Sequence, residues 1–151
     1  MALTIALGDP TDRQITRMIA ESDAYYAGLY PAESNHLLEP SSLRAPNVSF
    51  FVARDGGIVC GFGALVATSP FGEIKRMYVD TQIRGRGIGR AILMAIERRA
   101  KDLRLTHLRL ETGIRQPEAI ALYRTHGFTE IEPFADYVAD SLSIFMEKLL
   151  A

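Results

Sequence analysis

The stretch that decides the fold reads Glu73-Ile74-Lys75-Arg76-Met77-Tyr78-Val79, then Asp80-Thr81-Gln82-Ile83, then Arg84-Gly85-Arg86-Gly87-Ile88-Gly89. The first segment has the composition of a β-strand, and residues 91–103, which follow the last segment, have helical periodicity. Glycines at alternate positions let the backbone turn sharply and bring its N–H groups close to a ligand. The helix that follows points its positive dipole end at the same space. Arg84 and Arg86 add forked donors that match phosphate oxygens, so the sequence predicts a phosphate-binding loop, most naturally for a pyrophosphate.

Two common phosphate-binding templates fit this loop poorly. A Walker-type loop needs Lys and then Ser or Thr after its last glycine, whereas Gly89 is followed by Arg90 and Ala91. The dinucleotide fingerprint G-x-G-x-x-G, started at Gly85, would place its third glycine at Arg90. Glu111 does lie about 20 residues on, where a ribose-binding acid would be expected. Only 40 residues (112–151) follow it, too few for the rest of a doubly wound sheet, so a dinucleotide site ranks second.

Two motifs in the right order resemble the GCN5-related N-acetyltransferases, the GNAT superfamily. Residues 82–87, Gln-Ile-Arg-Gly-Arg-Gly, match its Q/R-x-x-G-x-G/A signature, and residues 119–123, Ala-Ile-Ala-Leu-Tyr, followed by Gly127-Phe128, resemble its second signature. The resemblance is strong over residues 49–128 and weaker over the first 45. It implies an α/β chain with the acyl-CoA N-acyltransferase fold. That fold has a mixed, mainly antiparallel central sheet with splayed parallel strands and helices on both faces.

Bulk properties limit the class of protein. A chain of 151 residues fits one domain, residues 1–151, with a single core. The formal net charge of -1 gives no overall field that favours nucleic acid or an anionic membrane. The single cysteine, Cys60, excludes an internal disulfide, and no Cys/His cluster has zinc-ligand spacing, so no metal is expected. No leader and no apolar run of membrane-spanning length is evident, and the expected location is the cytoplasm.

The elements expected outside the loop form an antiparallel meander followed by α/β units. Strands are predicted at residues 3–7, 49–54, 58–68, from 73 onward, 107–111, 128–131 and 143–148, and helices after a cap at Thr11 or Asp12, at 91–103 and at 117–125. The strand at 107–111 must run parallel to the one before the loop, because a helix connects them. In the loop-following helix, a core stripe is predicted at Ile88, Ile92, Ala95, Ile96 and Leu103.

The resemblance implies that acetyl-CoA is the co-substrate and lies in the gap between the splayed strands. Backbone groups of Met77, Tyr78 and Val79 would meet the pantetheine arm and the oxyanion. Amides of the loop would meet the pyrophosphate; the residues concerned are Arg84, Gly85, Arg86, Gly87, Ile88, Gly89 and Arg90. Arg84 and Arg86 could instead face solvent. Gln116 stands where many GNAT enzymes have asparagine, and its longer side chain could keep that cofactor contact although it caps a helix less well.

Acyl transfer to an amine needs a proton acceptor for the amine, stabilisation of the oxyanion and protonation of the leaving thiolate. By resemblance, Tyr123 is the candidate acid, since a phenol with an ordinary pKa near 10 is protonated at neutral pH. It could alternatively pack its ring on the core with its hydroxyl bound to the backbone. Glu73 is the candidate base, with an ion pair to Lys75 as the competing role. For Glu111 a structural hydrogen-bonding role is favoured over a catalytic one.

The acceptor site is predicted from Tyr30, Asn35 and His36, in a segment that resembles bacterial GNAT proteins sometimes labelled as indoleacetate or related small-molecule acetyltransferases. The favoured function is N-acetylation of a small amine or amino-acid-like acceptor. Two alternatives stay open: a catalytically silent acyl-CoA-binding module and, more remotely, a nicotinamide-dependent oxidoreductase. Because GNAT proteins are commonly dimers, the resemblance also allows a homodimer.

Overall fold

The computed structural model describes residues 2–150, which form a seven-stranded sheet and three α-helices. The strands are β1 (Leu3–Leu7), β2 (Val48–Asp55), β3 (Ile58–Thr68), β4 (Phe71–Val79), β5 (His107–Gly113), β6 (Thr129–Ile131) and β7 (Ser143–Leu149). The helices are α1 (Arg13–Leu29), α2 (Ile88–Asp102) and α3 (Pro117–Thr125). Short 3-10 helices lie between α1 and β2, at Ala32–Ser34 and Pro40–Arg44, and between β4 and α2, at Thr81–Ile83. The predicted elements are therefore confirmed, with ends that differ by up to three residues.

The sheet has the strand order β1-β2-β3-β4-β5-β7-β6 and is mainly antiparallel. The predicted meander is present, since β1, β2, β3 and β4 pair antiparallel in succession. Strands β4 and β5 form the parallel pair, as the α2 crossover requires. One apolar cluster packs α1 against Phe50 and Phe62, and the other packs α2 against Leu65 and Leu110. Helices consequently cover both faces of the sheet.

The β4–β5 pair separates after only four residues. Its register runs from Phe71 opposite His107 to Ile74 opposite Leu110, although both strands continue beyond that point. Main-chain groups that β4 directs toward β5 beyond Ile74 therefore have no partner in β5. The splayed geometry that the family resemblance implied is present in the structure.

A β-bulge in β4 accompanies this separation. Arg76 has a φ of 58°, in the left-handed region, and the register with β3 shifts between Phe62 and Ala64. A bulge makes two successive side chains point to the same face. Lys75 and Arg76 accordingly both lie on the α1 side of the sheet, where Lys75 contacts the His36 carbonyl and Arg76 forms an ion pair with Asp23. The bulge thus places two cationic side chains beside the gap between the strands.

Helix α2 begins at Ile88, three residues earlier than predicted, so residues 88–90 are its first turn and not part of the loop. Ile88, Ile92 and Ile96 are buried as expected. Leu103 was wrongly placed in the core stripe: it lies just past the helix end and is 40% exposed, while Leu93 and Ala100 are buried. The helix ends at Asp102, so the buried stripe stops at Ala100, one turn short of the predicted end.

The ends of helices α1 and α3 are explained by their capping residues. The Asp12 side chain accepts hydrogen bonds from the backbone N–H groups of Gln14 and Ile15, which makes it the cap of α1. Gly127, with a φ of 92°, ends α3 in the left-handed conformation that favours glycine. Within residues 2–150, none of the helices combines the length and the apolar character needed to cross a bilayer.

Candidate active site

A cleft with a volume of about 620 Å³ opens where β4 and β5 separate. It is lined by the end of β4, by Tyr25 and Tyr26 of α1 and by the first two turns of α3. The glycine-rich loop and the start of α2 complete the lining. The predicted cofactor residues that line it are Met77, Tyr78, Val79, Arg84, Gly85, Gly87, Ile88, Gly89, Arg90 and Gln116. The structure therefore gathers ten of the eleven predicted cofactor residues around one cleft.

The loop presents main-chain N–H groups to this cleft. Gly85 and Gly87 have φ angles of 84° and 78°, and a Cβ atom at either position would meet nothing within 4 Å. No side chain caps α2 at Gly87, and the first backbone hydrogen bond of the helix runs from the Ala91 N–H to the Gly87 carbonyl. The N–H groups of the first turn are thus available to an anion, with the helix dipole oriented to favour it.

The arginines of the loop differ in their placement. Arg86 is exposed and does not line the cleft, and Arg90 is exposed at its edge. Arg84 turns inward: its Nε donates to the Val79 carbonyl at 3.0 Å and its Nη1 donates to the Tyr25 hydroxyl at 3.1 Å. Its guanidinium also stacks 4.8 Å from the centre of the Tyr25 ring. Arg84 therefore connects the loop to β4 and α1 and adds positive charge inside the cleft.

Tyr123 lies where the cleft meets a second, smaller cavity of about 80 Å³. Its ring packs edge-to-face on Phe128, and the residue is buried. Within residues 2–150 its hydroxyl has no hydrogen-bond partner, yet that oxygen is not sealed from solvent, so it faces the open space. Burial, and secondarily the nearby Glu111 charge, raise the pKa of Tyr123 well above its ordinary value of 10.0. The phenol stays protonated at neutral pH and can donate a proton or hydrogen bond into the cleft.

The smaller cavity contains a polar cluster built on Tyr137. The Tyr137 hydroxyl donates to Glu73 Oε2 at 2.6 Å and accepts from Lys75 Nζ at 2.6 Å. Lys75 Nζ also lies 3.6 Å from the same Glu73 oxygen and donates to the His36 carbonyl at 3.1 Å. The His36 ring packs edge-to-face on Tyr137. Both roles considered for Glu73 are therefore compatible with its position: it lines the cavity, and it pairs with Lys75.

The predicted acceptor residues Tyr30, Asn35 and His36 all line this smaller cavity. Tyr30 has an additional task, because its hydroxyl accepts hydrogen bonds from the Arg115 N–H at 3.1 Å and from Gln116 Nε2 at 3.3 Å. A Cβ atom on Gly113 would lie 1.9 Å from that hydroxyl, so only glycine permits this approach. Tyr30 thus fixes the turn between β5 and α3, and Gln116 is oriented by Tyr30 while it borders both cavities.

Glu111 is the other carboxylate of the smaller cavity. Its Oε2 accepts a hydrogen bond from the Ser143 hydroxyl at 2.7 Å. Burial raises its pKa above the ordinary value of 4.5, against weaker lowering effects of the Ser143 hydrogen bond and of His36 and Lys75.

Several residues of the two cavities were not identified from the sequence. They include Arg115, Pro117, Glu118 and Leu122 in the cleft and Thr112 and Gly113 in the smaller cavity. Arg115, Pro117 and Glu118 adjoin the predicted Gln116, so the helix start was a usable signal for them. Gly113 gave no signal, because its role depends on Tyr30, which is 83 residues away in the sequence (113 − 30). Within residues 2–150, no group of three or more His, Cys, Asp or Glu side chains is arranged to bind a metal ion.

Comparison with known proteins agrees with this geometry. Residues 15–128 match the model of the Acetyltransferase (GNAT) family. The chain is 46% identical over 150 residues to an IAA acetyltransferase of Azospirillum brasilense, with 98% of each chain covered. Its structure is similar to that of a Klebsiella pneumoniae protein assigned as an acyl-CoA N-acyltransferase, with a TM-score of 0.83, 39% identity and 99% and 98% of the two chains covered. A PaiA N-acetyltransferase of Thermoplasma acidophilum, crystallised with coenzyme A, shares the fold at 21% identity with a TM-score of 0.78, and 99% of each chain is covered.

The splayed strands, the glycine loop with its uncapped helix and the match over residues 15–128 agree with one another. On these grounds the chain belongs to the Acetyltransferase (GNAT) family.

Proposed function

We propose that this protein transfers the acetyl group of acetyl-CoA directly to the amino group of a small acceptor. The observation behind this proposal is the junction of the two cavities at Tyr123. A cleft with main-chain donors at one end and an uncommitted phenol at the other adjoins a small cavity lined by carboxylates. A thioester supplies the activated acyl group and a thiolate leaving group.

The residues of the cleft fit a CoA molecule. The open amides at Gly87, Ile88 and Gly89 are suited to a diphosphate, as are the dipole of α2 and the charge of Arg84. The unpaired edge of β4 beyond Ile74 offers main-chain groups to the amides of a pantetheine arm, in the manner of an added strand. The Met77 carbonyl already accepts from the Tyr26 hydroxyl at 2.5 Å and the Val79 carbonyl from Arg84 Nε at 3.0 Å. In this proposal, N–H groups of this edge therefore meet the pantetheine arm and the oxyanion.

Each side chain at the junction has a separate role in this proposal. Tyr123 protonates the departing sulfur, since its hydroxyl is protonated and has no other partner in the described part of the chain. Glu73, held by Tyr137 and Lys75, orients the acceptor in the smaller cavity. Asn35 and His36 form the opposite wall. Direct transfer is favoured over a covalent intermediate because Cys60 is buried, apart from both cavities, with burial raising its pKa.

The acceptor is small and carries a primary amine in this proposal. The carboxyl groups of Glu73 and Glu111 in the smaller cavity favour a cationic group over an anionic one. The IAA acetyltransferase relative is a reason to include indole-bearing compounds among the acceptors tested. The cytoplasmic location and the homodimer remain predictions from the sequence.

The test is a thiol-release assay with acetyl-CoA and a panel of small amines. Matched pairs such as tryptamine with tryptophan and histamine with histidine separate amines from amino acids. We expect release that depends on the amine, and faster release with the amine of each pair. A silent acyl-CoA-binding module would bind CoA in a thermal-shift assay and release no thiol with any amine. Protection from heat by NAD and not by CoA would instead support the nicotinamide alternative, against which the mainly antiparallel sheet argues.

A further inference from the structure

The cleft and the smaller cavity share part of their lining. In the described part of the chain, the residues that border both are Tyr26 of α1, Met77 of β4, Gln116 at the cap of α3, and Ala119 and Tyr123 within α3. In the proposed function the thioester sulfur lies at Tyr123, and the amine approaches from the smaller cavity. The acyl group therefore lies in the passage between the two cavities, and the side chains around that passage limit its size.

Tyr26 is the large side chain of this passage that has no other proposed role. Met77 contributes mainly its main chain, because its side chain packs with the α2 core, where a Cβ atom on Gly63 would lie 2.5 Å from Met77 Sδ. Ala119 ends at its Cβ atom, and Gln116 is oriented by a hydrogen bond to a neighbouring tyrosine. Apart from the proposed acid, only Tyr26 thus brings an aromatic ring to the place where the acyl group would lie.

The ring of Tyr26 is held at both ends. Its hydroxyl donates to the Met77 carbonyl at 2.5 Å, and its ring packs edge-to-face on Tyr25 and Tyr78, with centroids 5.4 and 6.2 Å away. The residue is buried. Burial, and secondarily the nearby Tyr123, raise the pKa of Tyr26 well above its ordinary value of 10.0, so the hydroxyl remains a donor at neutral pH. The ring cannot turn aside without losing this hydrogen bond and its packing.

From this geometry we infer that Tyr26 determines the length of the acyl group and restricts it to acetyl. The inference rests on the proposed function, and the transfer itself is unchanged. The acceptor nitrogen bonds to the acyl carbon while the C–S bond breaks and leaves its electron pair on sulfur. Tyr123 then protonates that sulfur, and the amine loses its proton to water.

The expected selectivity follows from the fixed position of the ring. An acetyl group adds one methyl group beyond its carbonyl, whereas propionyl and butyryl groups need further space that the Tyr26 ring occupies. An apolar pocket discriminates against one extra methylene by about 10–200-fold. The wild type should therefore use acetyl-CoA at least about tenfold better than propionyl-CoA, and butyryl-CoA should be poorer still.

The test compares kcat/KM for acetyl-CoA and butyryl-CoA, with an amine that is active in the thiol-release panel, in the wild type and three variants. Tyr26→Ala removes the ring, so the ratio of acetyl to butyryl should fall at least about tenfold. Tyr26→Phe keeps the ring without the hydrogen bond, and its ratio should stay within about threefold of the wild type. Tyr25→Ala is the matched control, because Tyr25 is the preceding residue of α1 and borders the cleft but not the smaller cavity. Its ratio should be unchanged even where both rates fall.

Equal kcat/KM values for acetyl-CoA and butyryl-CoA in the wild type would overturn the inference without any variant. An unchanged ratio in Tyr26→Ala would do the same, as would an equal loss of selectivity in Tyr25→Ala. If Tyr26→Ala fails to fold, Tyr26→Leu, which keeps apolar packing with a smaller side chain, gives the deciding ratio. Failure of the proposed function has a different signature, since the wild type would then release no thiol from any acyl-CoA with any amine.

Discussion

The cleft proposed to bind acetyl-CoA and the cavity proposed to bind the acceptor meet at Tyr123 but are built in different ways. The groups of the cleft that are proposed to hold the cofactor are largely main chain: the free edge of β4, the loop at Gly85 and Gly87, and the first turn of α2. The acceptor cavity consists of side chains from segments far apart in the sequence, among them His36, Glu73 and Tyr137. A site made of main chain depends on backbone conformation, which a few glycines determine. A site made of side chains depends on packing between distant segments.

The variant with the largest expected effect acts on the junction of the two regions. Tyr123→Phe removes the proposed proton donor for the thiolate and keeps the ring that packs on Phe128. We expect kcat to fall about 100-fold with CoA affinity unchanged, because general acid catalysis contributes an effect of that order. Thiol release gives kcat and calorimetry gives the affinity. If kcat and CoA affinity fell by the same factor, Tyr123 would be needed for cofactor binding and not specifically for proton transfer.

The next effect tests the main-chain character of the cleft. Gly87→Ala places a Cβ at a φ of 78°, which costs about 1–2 kcal/mol unless the backbone shifts and misaligns its N–H groups. We expect the KM for acetyl-CoA to rise about tenfold, with the KM for the amine unchanged. Gly57→Ala is the matched control, since its φ of 90° and open surroundings are similar but it lies in the β2–β3 turn, outside both cavities. If both variants bind acetyl-CoA like the wild type, the backbone of the loop is not what holds the cofactor.

A smaller effect is expected in the proposed acceptor cavity, where a substitution should change the KM for the amine and not the KM for acetyl-CoA. Tyr137→Phe removes the hydroxyl that bridges Glu73 and Lys75. A typical hydrogen bond contributes about 0.5–1.5 kcal/mol, so the KM for the amine should rise several-fold while that for acetyl-CoA stays constant. Steady-state kinetics with each substrate varied in turn measures both. A rise in the KM for acetyl-CoA alone would show that the cluster does not belong to the acceptor site.

The difference between the regions also explains how much the sequence could predict. The loop, the α2 crossover and the motif around Tyr123 are local patterns, and ten of the eleven predicted cofactor residues line the cleft. Tyr137 and Glu73 are 64 residues apart, and their contact depends on how the loop before β7 folds over the sheet. The same is true of Tyr30 and Gly113. No local periodicity encodes such contacts. Tyr30, Asn35 and His36 could therefore be named as candidate acceptor residues from the sequence, but their arrangement could not be predicted.

The error in the α2 stripe has a similar origin. Helical spacing alone favoured Leu103, but Leu103 lies past the last helical residue and is 40% exposed. The β-bulge at Arg76 was also beyond sequence analysis. A non-glycine residue at a φ of 58° is held there by contacts with α1 and with the Leu38 carbonyl, and no pattern in β4 itself indicates them.

The smallest effect is expected for Tyr30, whose hydroxyl supports the turn between β5 and α3. Tyr30→Phe leaves the Arg115 N–H and Gln116 without their hydroxyl partner, at a cost of about 1 kcal/mol in the free energy of unfolding. We expect Tm to fall by a few degrees. Tyr78→Phe is the control, since the Tyr78 hydroxyl has no hydrogen bond within residues 2–150. Thermal unfolding of the two variants should differ; equal Tm values would mean that Tyr30 does not stabilise the β5–α3 turn.

Calorimetric titration with CoA and its fragments tests the central claim most directly, because it measures how much affinity the diphosphate contributes. If the amides at Gly87–Gly89 and the dipole of α2 bind that group, dephospho-CoA, which keeps the diphosphate, should bind nearly as well as CoA. Pantetheine, which lacks the diphosphate, should bind at least about 100-fold more weakly, with 4′-phosphopantetheine between them. Equal affinities for pantetheine and CoA would contradict the account.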